Sequence, residues 1–142
     1  NIMAIAAGVS DGLGLGNNAR AALLTRGIVE IKRFGKAMGA DSQTFTGLSG
    51  IGDLMLTATS DLSRNRTVGF RIGRGENIDA ILNGMKMVAE GVATTKSVHN
   101  IAKEKNIYMP ITEVVYSILY ERLKPSEAII KLLERDIKDE FI

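Results

Sequence analysis

The chain has 142 residues, enough for about one domain, and its 45% hydrophobic and 24% charged content excludes a disordered or fibrous protein. It has no cysteine, which suits a cytoplasmic protein and excludes disulfides, and its one histidine, His99, is too few for a zinc site, so no metal is expected. The net charge of +2 comes without a basic stripe, and no apolar run reaches the roughly 18 residues of a membrane helix, so we expect neither nucleic-acid binding nor membrane insertion.

Apolar residues recur at helical spacing through the chain, and no alternation of period two persists, so we predict an all-α fold and one domain over residues 1–142. The first segment, "NIMAIAAGVS", is apolar from its first residues and lacks an initiator methionine, which we interpret as a cut from a longer protein. The next, "DGLGLGNN", lacks a preceding strand and the G-x-G-x-x-G spacing of a dinucleotide loop. It predicts a corner between two helices, with glycines in the left-handed conformation.

A second helix is predicted over residues 17–39, with Glu30 on its polar side. Another helix is expected to pack closely against it at Gly27. Its apolar stripe consists of Leu24, Ile28, Ile31 and Met38. Shorter helices follow at "NIDAILNG" and over residues 90–103, where His99 is expected on the surface. In the helix over residues 90–103, Thr94, Val98 and Ile101 are expected on one face.

Two further helices are predicted near the carboxyl end of the chain. Pro110 stands at the first position of one of them, where its fixed φ is favourable. The inner side of that helix is Ile111, Val114, Val115, Ile118 and Leu119. The last helix is predicted in "KPSEAIIKLLERDIKDE", with Ile129, Leu132 and Leu133 on one side.

A carboxylate, Asp53, stands inside an apolar run in "GIGDLMLTATSDLSRNR" and shares a helix face with Thr57. Two interpretations are equally favoured by the residues alone. Either Asp53 is buried and meets a cation or several donors, because an unpaired buried carboxylate is costly, or it caps the start of a helix after Gly52.

The polar cluster Ser63-Arg64-Asn65-Arg66 follows directly, and Asp61 or Ser63 is suited to cap a new helix. A helix start attracts anions weakly, whereas an arginine fork matches phosphate and adds several kcal/mol, at about 1.5–3 kcal/mol per charge-assisted bond. Residues two apart on a helix differ by about 200°, so Arg64 and Arg66 are not expected to face one ligand together. A surface arginine pair with no ligand is slightly favoured by these residues alone.

Four stretches together carry a family resemblance over essentially the whole chain, in order. They are "NIMAIAAGVSDGLGLGNNARAALLTRG", "GLSGIGDLMLTATSDLSRNRTVG", "VAEGVATTKSV" and "MPITEVVYSILY". The combination resembles the C-terminal domain of the bacterial NAD(P)-dependent sn-glycerol-3-phosphate dehydrogenases. The resemblance implies a helical bundle like the C-terminal domain of 6-phosphogluconate dehydrogenases, preceded in the whole enzyme by a Rossmann domain that this chain does not contain.

The resemblance also implies a reaction and its partners. The family reduces dihydroxyacetone phosphate to sn-glycerol 3-phosphate, for phospholipid synthesis, with NADH or NADPH bound mainly by the Rossmann domain. Its general acid/base lysine directly precedes the asparagine that Asn1 matches, so we expect the chain to begin just after that lysine and to be inactive alone. A cytoplasmic location is expected, and a homodimer is left open.

The site residues follow by resemblance. Asp53 matches a residue that meets the lysine and the substrate hydroxyls, with Thr57 supporting it, and Asn1 matches a substrate-binding position. The positions that match the substrate-phosphate site are Ser63, Arg64 and Asn65. The positions that match cofactor contacts are Arg64, Val88 and Glu90.

Two other functions remain open at this point. One is a related dehydrogenase that acts on another phosphorylated substrate. The other is a free-standing helical module that binds anions or a partner without catalysis. The residues upstream of Asn1 distinguish that module from an enzyme, because an enzyme of this family carries a lysine and a glycine-rich cofactor loop there.

Overall fold

A computed structural model describes residues 1–134, in which the chain folds into eight α-helices and no strand, so the all-α prediction is confirmed. The helices are α1 (Ile2–Gly12), α2 (Gly16–Ala37), α3 (Asp53–Thr59), α4 (Arg64–Gly73), α5 (Ile78–Asn83), α6 (Glu90–Glu104), α7 (Pro110–Tyr120) and α8 (Pro125–Glu134). A 3₁₀ turn (Ser42–Phe45) and a π turn (Leu48–Gly52) lead from α2 to α3. The end of the predicted last helix, residues 135–142, lies outside the described residues. Across residues 1–134, no helix combines the length and the apolar character required to cross a bilayer.

The first helix, α1, is the centre of the bundle. Every residue from 2 to 10 is buried, and α1 contacts six other helices: α2, α3, α4, α6, α7 and α8. The side chains around it include Leu23 of α2, Val68 of α4, Ile111 of α7 and Ile129 of α8. Such burial on all sides is what an almost wholly apolar helix requires.

The closest packing in the fold joins α1 to α4 through four glycines: Gly8 and Gly12 on α1, and Gly69 and Gly73 on α4. A Cβ atom at any of them would lie 2.0–2.4 Å from a backbone carbonyl oxygen of the opposite helix. Gly8 lies against Arg66, and Gly12, which comes later in α1, lies against Gly73, which comes later in α4. The two helices therefore run parallel, and their amino ends lie at the same end of the bundle.

Several local predictions are confirmed. The corner between α1 and α2 contains Gly14 and Gly16 at φ values of 75° and 89°, the left-handed conformation expected there. Gly27 admits the Met3 side chain of α1, whose sulfur would lie 3.0 Å from an added Cβ. Pro110 is the first residue of α7, as predicted.

The predicted polar side of α2 is wrong at Glu30, which is only 1% exposed. Its Oε1 accepts a hydrogen bond from the Ile111 backbone N–H at 2.7 Å. Its Oε2 accepts from the backbone N–H and the hydroxyl of Thr112 at 2.9 and 2.8 Å. Glu30 is therefore buried because it caps the start of α7, where first-turn N–H groups need acceptors. Met38, predicted in the apolar stripe, is exposed because α2 ends at Ala37.

The predicted face of α6 is an inner face only in part. Val98 packs against the core, Ile101 is partly buried and Thr94 is exposed. The residues that α6 buries are Gly91, Thr95, His99 and Ala102. His99 is not a surface residue, because its ring stacks on Tyr116 with centroids 3.8 Å apart and planes 6° from parallel. This helix buries small and hydrogen-bonded residues, which a count of apolar residues does not identify.

We predict that Glu30 makes the stability of the chain depend on pH. Burial raises the pKa of Glu30 to about 7, outweighing the hydrogen bonds from Ile111 and Thr112 and the charge of Arg33, which lower it. Because the folded-state pKa lies above the ordinary value of 4.5, this group stabilises the fold fully below that value. Its contribution to the free energy of unfolding should fall by about 3 kcal/mol as the pH rises through about 7.

The measurement is denaturant unfolding of the wild type and of Glu30→Gln at a series of pH values. Glutamine does not titrate, so the difference between the two free energies of unfolding isolates Glu30. That difference should change between about pH 4.5 and 7 and level off outside this window. A constant difference across the window would show that Glu30 does not titrate there.

Candidate functional site

A cleft of about 340 Å³ lies where three separate stretches of the chain meet. Its lining residues are Asn1, Leu62, Arg64, Asn65, Val88 and Glu90. Five of these six residues were predicted as site residues, some for binding the substrate and some for binding the cofactor. Leu62 was not predicted. The fold thus brings together residues that are up to 89 positions apart in the sequence.

The cleft lies at the amino ends of three helices. Asn1 is the N-cap of α1, Arg64 and Asn65 are the first two residues of α4, and Glu90 is the first residue of α6. The parallel packing of α1 and α4 brings the first two ends together. First-turn N–H groups have no acceptor within their own helix, and the helix dipole places partial positive charge there. The convergence of three such ends favours an anion in the cleft.

Ser63 supplies the predicted cap of α4. Its hydroxyl oxygen accepts a hydrogen bond from the Arg66 backbone N–H at 3.2 Å, and its backbone is extended. The cap confirms the helix start that was predicted from the residue types. It also fixes the first turn of α4, which carries Arg64 and Asn65.

Asn65 joins the start of α4 to the start of α6. Its Oδ1 accepts a hydrogen bond from the Gly91 backbone N–H at 2.9 Å, and the residue is only 7% exposed. A Cβ at position 91 would lie 2.6 Å from that same oxygen and 3.1 Å from the Cβ of Asn1, so the approach requires glycine. Because the amide oxygen is used in this bond, the amide NH₂ remains as a donor at the cleft.

Arg64 and Arg66 have separate roles, as their 200° separation predicts. Arg66 pairs with Asp11 and with Asp61, both at 2.9 Å. Arg64 is exposed and forms no ion pair within residues 1–134. One of its terminal nitrogens lies 3.4 Å from the Val88 carbonyl oxygen. Its guanidinium therefore lies across the cleft with most of its donors available to a ligand.

The two interpretations of Asp53 both fail in part. Asp53 is exposed, so it is not a buried carboxylate, and Gly52 rather than Asp53 is the N-cap of α3. It is the first residue of α3, where its charge complements the helix dipole. Thr57 lies one turn later and is partly buried.

Asp53 nevertheless lies close to the start of the chain. Burial lowers the pKa of the Asn1 amino group, and the negative charge of Asp53 opposes this shift by raising it. The carboxylate and the Asn1 backbone nitrogen are thus near enough to interact electrostatically.

An apolar rim borders the cleft, and sequence reasoning missed it. Leu62 and Val88, which line the cleft, are 92% and 74% exposed. Leu56 of α3 and Met87 are also largely exposed. The signal was present, since "MKMV" and Leu62 place apolar residues in connecting segments where polar ones are usual. Exposed apolar residues in such a group mark a surface that contacts something else.

The family model described as "NAD-dependent glycerol-3-phosphate dehydrogenase C-terminus" matches residues 1–130. The chain is 60% identical to the glycerol-3-phosphate dehydrogenase [NAD(P)+] of Solidesulfovibrio magneticus, over 99% of its own length and 42% of that protein. It is 53% identical to the enzyme of the same name from Staphylococcus aureus, with the same coverage. The chain thus spans less than half the length of these relatives.

Solved structures agree with the sequence comparison. The crystal structure of glycerol-3-phosphate dehydrogenase from Coxiella burnetii is similar with a TM-score of 0.92 and 46% identity, covering 94% of this chain and 41% of that one. The glycerol-3-phosphate dehydrogenase of Saccharomyces cerevisiae is similar with a TM-score of 0.82 and 29% identity, covering 94% and 39%.

We predict that the contact between Asn65 and Gly91 stabilises the fold as well as shaping the cleft. Asn65→Ala leaves a buried N–H without its acceptor and should lower the free energy of unfolding by about 1–3 kcal/mol. Asn65→Asp keeps an acceptor oxygen and should cost less. Chemical denaturation measures both, with Asn17→Ala, at an exposed asparagine on α2, as the control expected within about 0.5 kcal/mol of wild type. Equal costs for Asn65→Ala and Asn17→Ala would contradict the prediction.

Proposed function

Because the chain belongs to the family of NAD-dependent glycerol-3-phosphate dehydrogenase C-terminal domains, we propose that it binds the substrate in an enzyme that interconverts dihydroxyacetone phosphate and sn-glycerol 3-phosphate with NAD(P)H. The observation that carries this proposal is the cleft itself. Three helix amino ends and one unpaired guanidinium surround a space suited to a phosphate group.

The phosphate contacts divide between Arg64 and the backbone. Arg64 offers a planar fork that binds two phosphate oxygens at once, and the first turn of α4 offers N–H groups. Two charge-assisted bonds contribute about 3–6 kcal/mol, whereas a helix dipole adds about 0.3–1 kcal/mol. Arg64 therefore decides the affinity, and the helix ends and the Asn65 amide decide where the phosphate lies. Binding energy from the phosphate orients the carbonyl group to be reduced.

We place the proton-transfer chemistry beside Asp53. In the family that this chain resembles, a lysine precedes the residue that Asn1 matches, and the Asp53 carboxylate acts electrostatically on the Asn1 nitrogen to which that lysine would be joined. The carboxylate would hold the ammonium group in place, and the ammonium would donate a proton to the alkoxide that forms on reduction. The exposure of Asp53 in this chain fits a carboxylate whose cation lies outside the residues described.

The nicotinamide cofactor would be held in part by this chain. It supplies the hydride to the carbonyl carbon when it is bound. Val88 and Glu90 lie at the edge of the cleft beside Arg64, so they suit the cofactor contacts that the family resemblance implies. The main cofactor contacts would belong to a Rossmann domain elsewhere in the protein, because the relatives are more than twice as long as this chain.

The exposed apolar residues at the cleft also support a site that is completed by a second domain. Leu62 and Val88 are exposed apolar side chains that line the cleft, and a second domain that covers them would also exclude water from the reacting groups. We therefore propose that the chain alone does not catalyse the reaction. We propose a cytoplasmic location, which fits the use of NAD(P)H and a role in supplying a phospholipid precursor.

We predict that Arg64→Ala raises KM for dihydroxyacetone phosphate by about 10²–10⁴-fold, because two charge-assisted bonds are lost. Arg64→Lys should recover only part of this loss, since an ammonium lacks the fork. The assay is NAD(P)H oxidation by a full-length protein in which this chain replaces the matching part of the Solidesulfovibrio magneticus enzyme. Arg74→Ala, at the exposed far end of α4, is the matched control and should leave KM unchanged.

The outcomes separate the candidate functions. Unchanged KM for Arg64→Ala would remove Arg64 from the substrate site. Reduction of another phosphorylated ketone in preference to dihydroxyacetone phosphate would indicate a related dehydrogenase. Phosphate binding without any reduction would favour the module that binds anions without catalysis.

A further inference from the structure

Arg66 forms an ion-pair network that the proposed function does not use. Its two terminal nitrogens bind Asp11 and Asp61, each at 2.9 Å, and its side chain is only 13% exposed. Asp11 also accepts from Arg20 of α2 at 3.0 Å. The Nε of Arg66 is buried and has no hydrogen-bond partner within residues 1–134. The network thus joins the last turn of α1, the start of α2, the loop of residues 60–63 and the first turn of α4.

This network is not the only contact that holds these helices together, although the Arg66–Asp11 pair is itself largely buried. The four glycines already fix α4 against α1 by backbone contact. The Asp61 side chain is 95% exposed, and an ion pair with an exposed partner contributes under about 1 kcal/mol to stability. A buried guanidinium with an unsatisfied Nε is also a poor way to stabilise a helix junction. The ion-pair network of Arg66 is therefore better explained by the part of the chain that it holds in position.

The loop of residues 60–63 is what Arg66 orients. This loop carries Asp61, which Arg66 binds, Leu62, which lines the cleft, and Ser63, which caps α4. The same residue that donates its backbone N–H to the Ser63 hydroxyl therefore holds the loop through its side chain as well. Arg64 follows Ser63 directly, so the position of its backbone depends on both contacts.

We propose that Arg66 is a positioning residue for phosphate binding: through Asp11 and Asp61 it fixes the loop of residues 60–63 and so holds the guanidinium of Arg64 in the cleft. This inference rests on the proposed function, since it assigns Arg66 to the same phosphate site. Arg66 itself does not touch the ligand. A displacement of about 1 Å in such a group is enough to cost up to about 10²-fold in rate or affinity.

The experiment compares Arg66→Met and Arg66→Lys with a matched control, Arg71→Met, in the full-length protein described above. Arg71 lies on the same helix and pairs with Glu76 through two bonds of 2.9 Å at an exposed site. Two constants are measured: KM for dihydroxyacetone phosphate and the inhibition constant of inorganic phosphate. Arg66→Met should raise both by about 10–100-fold and leave kcat within about threefold. Arg66→Lys should restore part of the loss, and Arg71→Met should change neither constant.

A structural role alone predicts a different pattern. It would lower the melting temperature and the amount of active enzyme, and hence kcat, with both phosphate-dependent constants unchanged. That result would overturn the inference. If Arg66→Met does not fold, Asp61→Asn provides the test, because its side chain is exposed and its loss does not threaten the fold. It should raise both constants by about threefold or more, and no change would again overturn the inference.

Failure of the proposed function is a separate outcome. It would be seen as a wild-type protein that reduces no dihydroxyacetone phosphate. Binding of inorganic phosphate, followed by NMR chemical shifts of the Arg64 and Asn65 backbone amides, then decides the role of Arg66. Weaker binding in Arg66→Met than in Arg71→Met supports the positioning role, and equal binding overturns it.

Discussion

The close crossing of α1 and α4 is the constraint on which the rest of the structure depends. Four glycines allow the two backbones to touch, and the parallel direction of the helices follows from which residues meet. Any side chain at these positions would separate the helices and with them the two amino ends at the cleft. The hydrogen bond from Gly91 to Asn65 then brings the amino end of α6 to the same place. The position of the proposed anion site is thus a consequence of backbone packing, and its affinity in the proposed function depends on Arg64.

The charges around the cleft are arranged by this packing. Arg66 is neutralised by Asp11 and Asp61, which leaves Arg64 as the guanidinium with free donors beside the helix ends. Asp53 lies near enough to the start of α1 to interact electrostatically with the Asn1 nitrogen. The exposed apolar side chains of Leu62 and Val88 also line the cleft.

The sequence predicted what local rules determine. The Pro110 start, the glycine corner and the Ser63 cap depend on neighbouring residues, and all were confirmed, whereas helical spacing misplaced Met38 and Thr94. Glu30 was misplaced because its partners on α7 lie 81 and 82 residues away. The bond between Asn65 and Gly91 spans 26 residues and has no local signal either. The glycine crossing did leave a signal, the spacing of four in Gly8–Gly12 and Gly69–Gly73, but only the fold shows that these pairs meet.

The most direct test of this account is a crystal structure of the full-length protein with sn-glycerol 3-phosphate bound. The account predicts that the phosphate lies between the amino ends of α1, α4 and α6, with two of its oxygens within hydrogen-bond distance of the Arg64 guanidinium. A phosphate bound elsewhere on the protein, with the cleft occupied only by solvent, would contradict it.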